Sequence, residues 1–213
     1  MAEYKDIHGT TIRNSAGNLA GAKTGELFYD STNRDFKYGF PNVTTAGAWR
    51  TGNNMNTARR RLAGAGIQTA ALAISGTADP PLYAQVESYD GTSWTETGDV
   101  NTAREELAAA GTYTAAVAFG GKAGSATGVT EMWDGSSWTE VADLNTSRQE
   151  LTGDGATNTA AIAIGGVPQR AVTETWNGTA WTEVADLNTG RGSFRGGAGI
   201  TTSALAFGGY TTT

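Results

Sequence analysis

Cysteine is absent from the 213 residues of this chain, which removes a disulfide framework, a thiolate metal site and a cysteine nucleophile together. The redox compartment is left open by the same absence. Histidine is nearly missing too: His8 stands alone near the start. A histidine-based triad, or a metal shell of several imidazoles, therefore has no place in the rest of the chain. Charge is sparse at 17% of residues and hydrophobic residues reach 38%, both low for a compact enzyme. No apolar run approaches the roughly 20 residues of a membrane-spanning helix. The opening MAEYKDIHGTTIRN holds no apolar signal-peptide core, so neither membrane insertion nor a secretory signal is expected. Basic residues are outnumbered 15 to 21, for a net charge of −6, which argues against a nucleic-acid partner. The one basic run, Arg59-Arg60-Arg61, reads as solvated or paired with carboxylates. Apolar residues at helical spacing are also lacking over any long stretch, so helix does not dominate.

What is plentiful is glycine, at 30 residues, alongside abundant Thr and Ala. That mixture suits many short strands joined by tight turns. A repeat organises it. Trp49, Trp94, Trp138 and Trp181 are separated by 45, 44 and 43 positions, and each is followed ten positions later by Arg59, Arg104, Arg148 or Arg191. Each Arg closes an Asn-Thr-x-Arg motif. Each motif is followed by a glycine-containing segment and then by an apolar run ending at a glycine: TAALAISG (69–76), TAAVAFGG (114–121), TAAIAIGG (159–166) and TSALAFGG (202–209).

Each unit reads as four short strands. In the second unit, residues 84–89 alternate in character and form a strand. Asp90-Gly91 then suits a primed hairpin turn, and residues 93–97 return with Trp94. A third strand lies near 107–111 and a fourth at 114–121. In the fourth, Val117 and Phe119 alternate with Ala116 and Ala118, bulky one way and small the other, with almost no charge. Such a strand is expected to be buried on both faces between neighbouring sheets. About 44 residues per four-stranded unit is the signature of a propeller, because one such sheet cannot bury both faces alone. The expected fold is all-β, a small four-bladed propeller at 24–213 preceded by an extended attachment segment at 1–23. The chain opens with outer-type strands (Leu27 to Tyr38, then Trp49) and its last unit carries inner-type strands. Docking of residues 24–50 on 196–209 would complete the fourth blade and remove open edges. Closure through another subunit is the alternative.

The apolar-Gly-Gly endings, the V-x-E-x-W/Y-D/N-G hairpins, the repeated Trp and the spaced Arg resemble kelch-type repeats. They are also similar to the degenerate kelch-like repeats of virion and tail-fibre proteins of tailed bacteriophages, notably marine ones. The opening MAEYKDIHGT, followed by Gly25-Glu26-Leu27-Phe28-Tyr29-Asp30, resembles the leader of such phage proteins. The first unit departs from the pattern, since residues 41–47 (PNVTTAG) replace the D-G turn. The resemblance implies a kelch-like propeller and a place in the virion. Other virion proteins would be held through the N-terminal segment, and a host surface glycan or protein is a possible further partner. It implies several copies of the chain, since virion parts are symmetric. Some kelch-fold proteins are copper oxidases with a Tyr–Cys cofactor, and that chemistry is ruled out by the missing cysteine.

The repeated residues read first as structure. Four equivalent Trp residues are expected to pack between blades, the alternative being an aromatic sugar-binding surface. Arg59, Arg104, Arg148 and Arg191 are expected to bond loop carbonyls or pair with Glu87, Glu131 and Glu174, rather than to line an anion site. Asp90, Asp134 and Asn177 occupy hairpin turns and do not form the oxygen-rich run that Ca²⁺ needs. Glu105, Glu106, Glu140, Asp143, Glu183 and Asp186 sit at repeat-equivalent places, which speaks against a single glycosidase dyad. No catalytic residue, cofactor or metal is expected. Function is expected in what does not repeat: the loops at 77–85, 122–128 and 167–171, with Tyr83, Lys122 and Arg170 as candidate contacts. The expectation is a virion structural or tail-fibre-type protein that is not an enzyme. The rivals are a cellular kelch-like adaptor and a lectin or glycan-active enzyme.

Overall fold

The computed structural model describes residues 13–15, 27–30, 35–38, 52–168 and 171–211. The chain divides into two compact units, Met1–Thr51 and Gly52–Thr213. In the first, β1 (Arg13–Ser15), β2 (Leu27–Asp30) and β3 (Asp35–Tyr38) form one small sheet. β1 runs parallel to β2, and β2 pairs antiparallel with β3, placing Tyr29 opposite Phe36. Trp49, Arg170 and most of the expected attachment segment lie outside the described residues. So do residues 24–26, 31–34 and 39–50 of the stretch 24–50 expected to join residues 196–209.

The fold is all-β, a small four-bladed β-propeller of antiparallel sheets, with no helix among the described residues. Among the described residues no helix is long and apolar enough to cross a membrane. In the second unit the first blade runs from the axis outward as β4 (Ala63–Ile67), β5 (Ala70–Ile74), β6 (Val86–Tyr89) and β7 (Trp94–Thr97). The second has β8 (Ala108–Thr112) and β9 (Ala115–Phe119). A short ribbon of β10 (Lys122–Ala123) and β11 (Ser125–Ala126) leads to the outer strands β12 (Thr130–Trp133) and β13 (Trp138–Glu140). The third is β14 (Thr152–Thr157), β15 (Ala160–Ile164), β16 (Thr173–Trp176) and β17 (Trp181–Glu183). The fourth consists of the antiparallel pair β18 (Gly192–Ile200) and β19 (Ser203–Tyr210).

Local chemistry explains the strands. The inner hairpins are alanine- and glycine-rich because neighbouring sheets approach closely there. In β9, Ala116, Val117, Ala118 and Phe119 are all fully buried, as a strand sandwiched on both faces requires. The outer hairpins differ in one detail from the expected primed turn. Tyr89 pairs with Trp94, so residues 90–93 make a four-residue loop. Only Gly91 of the Asp-Gly pair is left-handed (φ 92°). Asp90 Oδ1 accepts the Thr92 and Ser93 amides at 2.7 Å each, an Asx-type closure that needs no positive φ at Asp90.

Each blade has a knob face and a hollow face. Leu72 and Ile74 of the first blade enter a core with Val100, Leu107, Ala109, Ala116, Ala118, Trp133 and Trp138 of the second. Val117 and Phe119 of the second enter the equivalent core with Leu144, Leu151, Ala161, Ala163, Trp176 and Trp181 of the third. Small residues form the floor, a Leu and a Trp pair form the walls, and the aliphatic or aromatic knob fills the space. Phe119 meets Trp181 edge-on at 4.8 Å between ring centroids. At full burial each knob contributes about 1.5–3 kcal/mol.

Backbone bonds stitch the same junctions near the axis. Gly76 N donates to Arg104 O and Gly121 N to Arg148 O, both at 2.9 Å, and Gly166 N donates to Arg191 O at 3.0 Å. The final glycine of each ending makes this possible. Gly121 has φ 106°, and a Cβ there would lie 2.7 Å from Glu105 O. A second ladder runs from Glu106 N to Arg61 O and from Glu150 N to Glu106 O, both at 2.9 Å.

Candidate functional site

The repeated polar residues form a clamp inside each of the first three blades. In the second blade, Arg104 lies at the end of the Asn-Thr-Ala-Arg loop with its side chain fully buried. Its Nε donates to Gly120 O at 3.0 Å, Nη1 to Thr102 O at 2.9 Å and to Glu131 Oε1, and Nη2 to Ala118 O at 3.3 Å. Glu131, on β12, accepts in turn from the Asn101 amide at 2.6 Å and the Thr102 amide at 3.3 Å. Asn101 Nδ2 bridges Glu131 Oε2 and Trp138 O. One carboxylate and one guanidinium thus tie the loop, the inner strand and the outer hairpin into one piece.

The other clamps repeat the plan. Arg59 pairs with Glu87, which takes the Asn56 and Thr57 amides. Burial alone would raise the Glu87 carboxyl, but the Asn56 amide, Arg59 and the Thr57 amide together hold it below the usual carboxylate range. Arg148 meets Glu174 at 3.0 Å, while Asn145 bonds the same carboxylate. Burial pulls the Arg148 guanidinium below its ordinary value, with Glu174 opposing the shift, and its Nε is buried without a partner. In the fourth blade, Arg191 bonds Gly208 O at 3.1 Å at an exposed position, and among the described residues no carboxylate meets it.

The Trp residues are structural in the same way. Trp138 and Trp181 are buried in the first two blade junctions. Each pairs across its hairpin, Trp133 with Trp138 and Trp176 with Trp181, at 5.4 Å. Trp181 Nε1 donates to Thr130 Oγ1 of the preceding blade at 3.1 Å. Trp138 Nε1 is buried without a partner, because the residue equivalent to Thr130 there is Val86. Trp94, half-buried, donates to Asn53 O at 3.1 Å and lies 5.0 Å from Tyr89. The turn carboxylates are also engaged. Asp134 takes Ser136 and Ser137 donors, which depress its carboxyl to about 2.

The nonrepeating loops emerge at one end of the blades, beside the start of each innermost strand. Thr77 bridges Arg60, Lys122 bridges Glu105, and Val167 bridges Gln149. Tyr83, half-buried, is fixed by its backbone, its N–H donating to Gly76 O at 2.8 Å and its carbonyl accepting from Ser75 Oγ at 2.7 Å. Lys122 Nζ stands 3.8 Å from Glu105 Oε1. The described residues therefore place Tyr83 and Lys122 at the same rim of neighbouring blades.

Sequence reasoning missed how charge converges at that rim. Arg61 Nη1 meets Glu105 at 2.9 Å and Glu106 at 3.2 Å, and Arg60 pairs with Asp79. Glu106 Oε2 is buried without a hydrogen bond. Burial first, then the Glu150 and Glu105 charges, raise its carboxyl, with Arg61 and Lys122 opposing. The signal for this cluster lay in position rather than type. Arg61, Glu106, Glu150 and Ser193 follow the clamp Arg by two residues, and all are left-handed, with φ of 56°, 59°, 54° and 53°. Among the described residues no three carboxylate or imidazole groups are arranged to hold a metal ion.

Comparison with known proteins finds no protein family that matches this chain and no significant match among curated proteins.

Proposed function

We propose that this chain is a non-catalytic binding propeller, a phage virion structural or tail-fibre-type protein whose rim of nonrepeating loops contacts a protein or a host-surface glycan. The observation that carries the binding reading is the division of labour among polar residues. The repeated arginines, glutamates and asparagines are spent inside the first three blades, while Tyr83 and Lys122 stand on the variable loops at one end. A propeller is a rigid scaffold for such loops, and its fold is compatible with protein–protein contact. The virion part rests on the kelch-like phage repeats and on the leader residues Gly25 to Asp30. In that reading the N-terminal segment joins other virion proteins, and several copies act together.

Two measurements test this. Antibody to the chain should decorate purified particles, and its absence from them removes the virion reading. Tyr83→Ala and Lys122→Gln should each weaken capture of the partner or host surface about tenfold or more, with the far-ultraviolet circular dichroism unchanged. Turnover of an envelope polysaccharide that one carboxylate substitution abolishes would overturn the non-catalytic reading.

A further inference from the structure

Among the described residues three blade junctions are filled, and the parts of a fourth are present but unfilled. The knob residues of the first three blades are buried, whereas Leu205 and Phe207, at the same register in TSALAFGG, are 63% and 48% exposed. The hollow that would receive such a knob is equally open. On the first blade, Met55, Leu62, Gly64, Ala71, Ala73 and Trp94 line a groove of about 500 Å³. These positions are the repeat equivalents of Val100, Leu107, Ala109, Ala116, Ala118 and Trp138, which receive Leu72 and Ile74 in the filled junction. In the filled junctions such a hollow receives two large apolar side chains two positions apart on a strand, Leu72 and Ile74 or Val117 and Phe119, and the chain carries one more such pair exposed. Both lie within the unit Gly52–Thr213, and among the described residues neither occupies the other.

We propose that this groove is the seat for the fourth blade of a second copy of this chain, with Leu205 and Phe207 entering between Trp94, Met55 and Leu62. The contact is head-to-tail, because knob and hollow are different surfaces, one on the fourth blade and one on the first. Each copy thus keeps one free knob and one free hollow until a ring closes. The inference deepens the multi-copy part of the proposed function and needs the blade architecture alone, so loss of a virion role would leave it standing.

The missing cysteine makes the test clean. Ala71→Cys and Leu205→Cys are placed in separate chains of different tag length, mixed, and treated with a short bismaleimide. A covalent heterodimer is expected on a denaturing gel. Adding Phe207→Asp to the knob chain should abolish it while leaving the far-ultraviolet circular dichroism unchanged. The double variant Ala71→Cys/Leu205→Cys is treated in parallel at high dilution. An internal cross-link in that chain, with no heterodimer from the mixture, would mean the groove is filled from within one molecule and would overturn the proposal. Absence of any cross-link in both samples overturns it as well.

Discussion

The second and fourth blades carry nearly the same inner strand, TAAVAFGG against TSALAFGG, and meet opposite fates. Val117 and Phe119 are sealed beneath the Trp pair of the third blade, and Arg104 beside them is locked to Glu131. Leu205 and Phe207 face outward, and Arg191 reaches a backbone carbonyl at the surface. The strand pattern specifies a knob and a hollow. It does not specify what fills them, because the burial of one blade is supplied by its neighbour. Stability in such an array therefore belongs to junctions rather than to repeats.

The largest expected difference lies in the clamps. Arg104→Ala leaves the Glu131 carboxylate buried and uncompensated, and should cost about 3–5 kcal/mol. Arg191→Ala, at the exposed equivalent, should cost below about 1 kcal/mol. Urea unfolding measures both, and equal losses would break the comparison. Next come the knobs. Phe119→Ala should cost about 3–5 kcal/mol through cavity formation, and Phe207→Ala below about 1 kcal/mol in dilute solution.

A smaller effect concerns one hydroxyl. Trp181 has Thr130 as acceptor, whereas Trp138 faces Val86 and has none. Thr130→Val should therefore destabilise by about 1–3 kcal/mol, and Val86→Thr should gain about 1 kcal/mol, read from denaturation midpoints. Two substitutions with the same sign would show that the indole bond does not distinguish the junctions.

The smallest effect is a pH dependence at the rim. The Glu106 carboxyl is raised in the folded chain by burial and by Glu150. Its protonated form is thus favoured by folding, and its contribution to stability is full below the unfolded value and lost as pH rises through the folded one. Glu87 runs oppositely: its carboxyl is lowered despite burial, so its contribution is lost as pH falls through the folded value. Glu106→Gln should raise the melting temperature at pH 7 and lose that gain near pH 4, which thermal melts at the two pH values would check.

Much of the fold was legible because the repeat is carried by large and chemically distinct residues. The Trp and Arg registers gave the blade boundaries, and the Val117/Ala118 alternation gave a strand buried on both faces. The expected pairing of the spaced Arg with Glu87, Glu131 and Glu174 is the pairing the structure has. Other features were hidden because they are properties of the backbone or of an adjacent blade. The left-handed Arg61, Glu106 and Glu150 have no residue-type signature in common. Nor does Asp-Gly alone say that Asp90 will close a four-residue loop with its carboxylate. The candidate rim was legible only as variable loops, and their convergence on the charged cluster of Arg61, Glu105 and Glu106 depends on the sheets standing side by side.

Hydrogen exchange followed strand by strand tests most directly whether equal sequences are made unequal by their neighbours. In dilute solution the amides of residues 115–119 should exchange only through global unfolding, while those of 203–207 exchange by local opening at least a hundredfold faster. Raising the protein concentration should protect 203–207 selectively as copies associate. Equal protection of the two segments at every concentration would contradict the account.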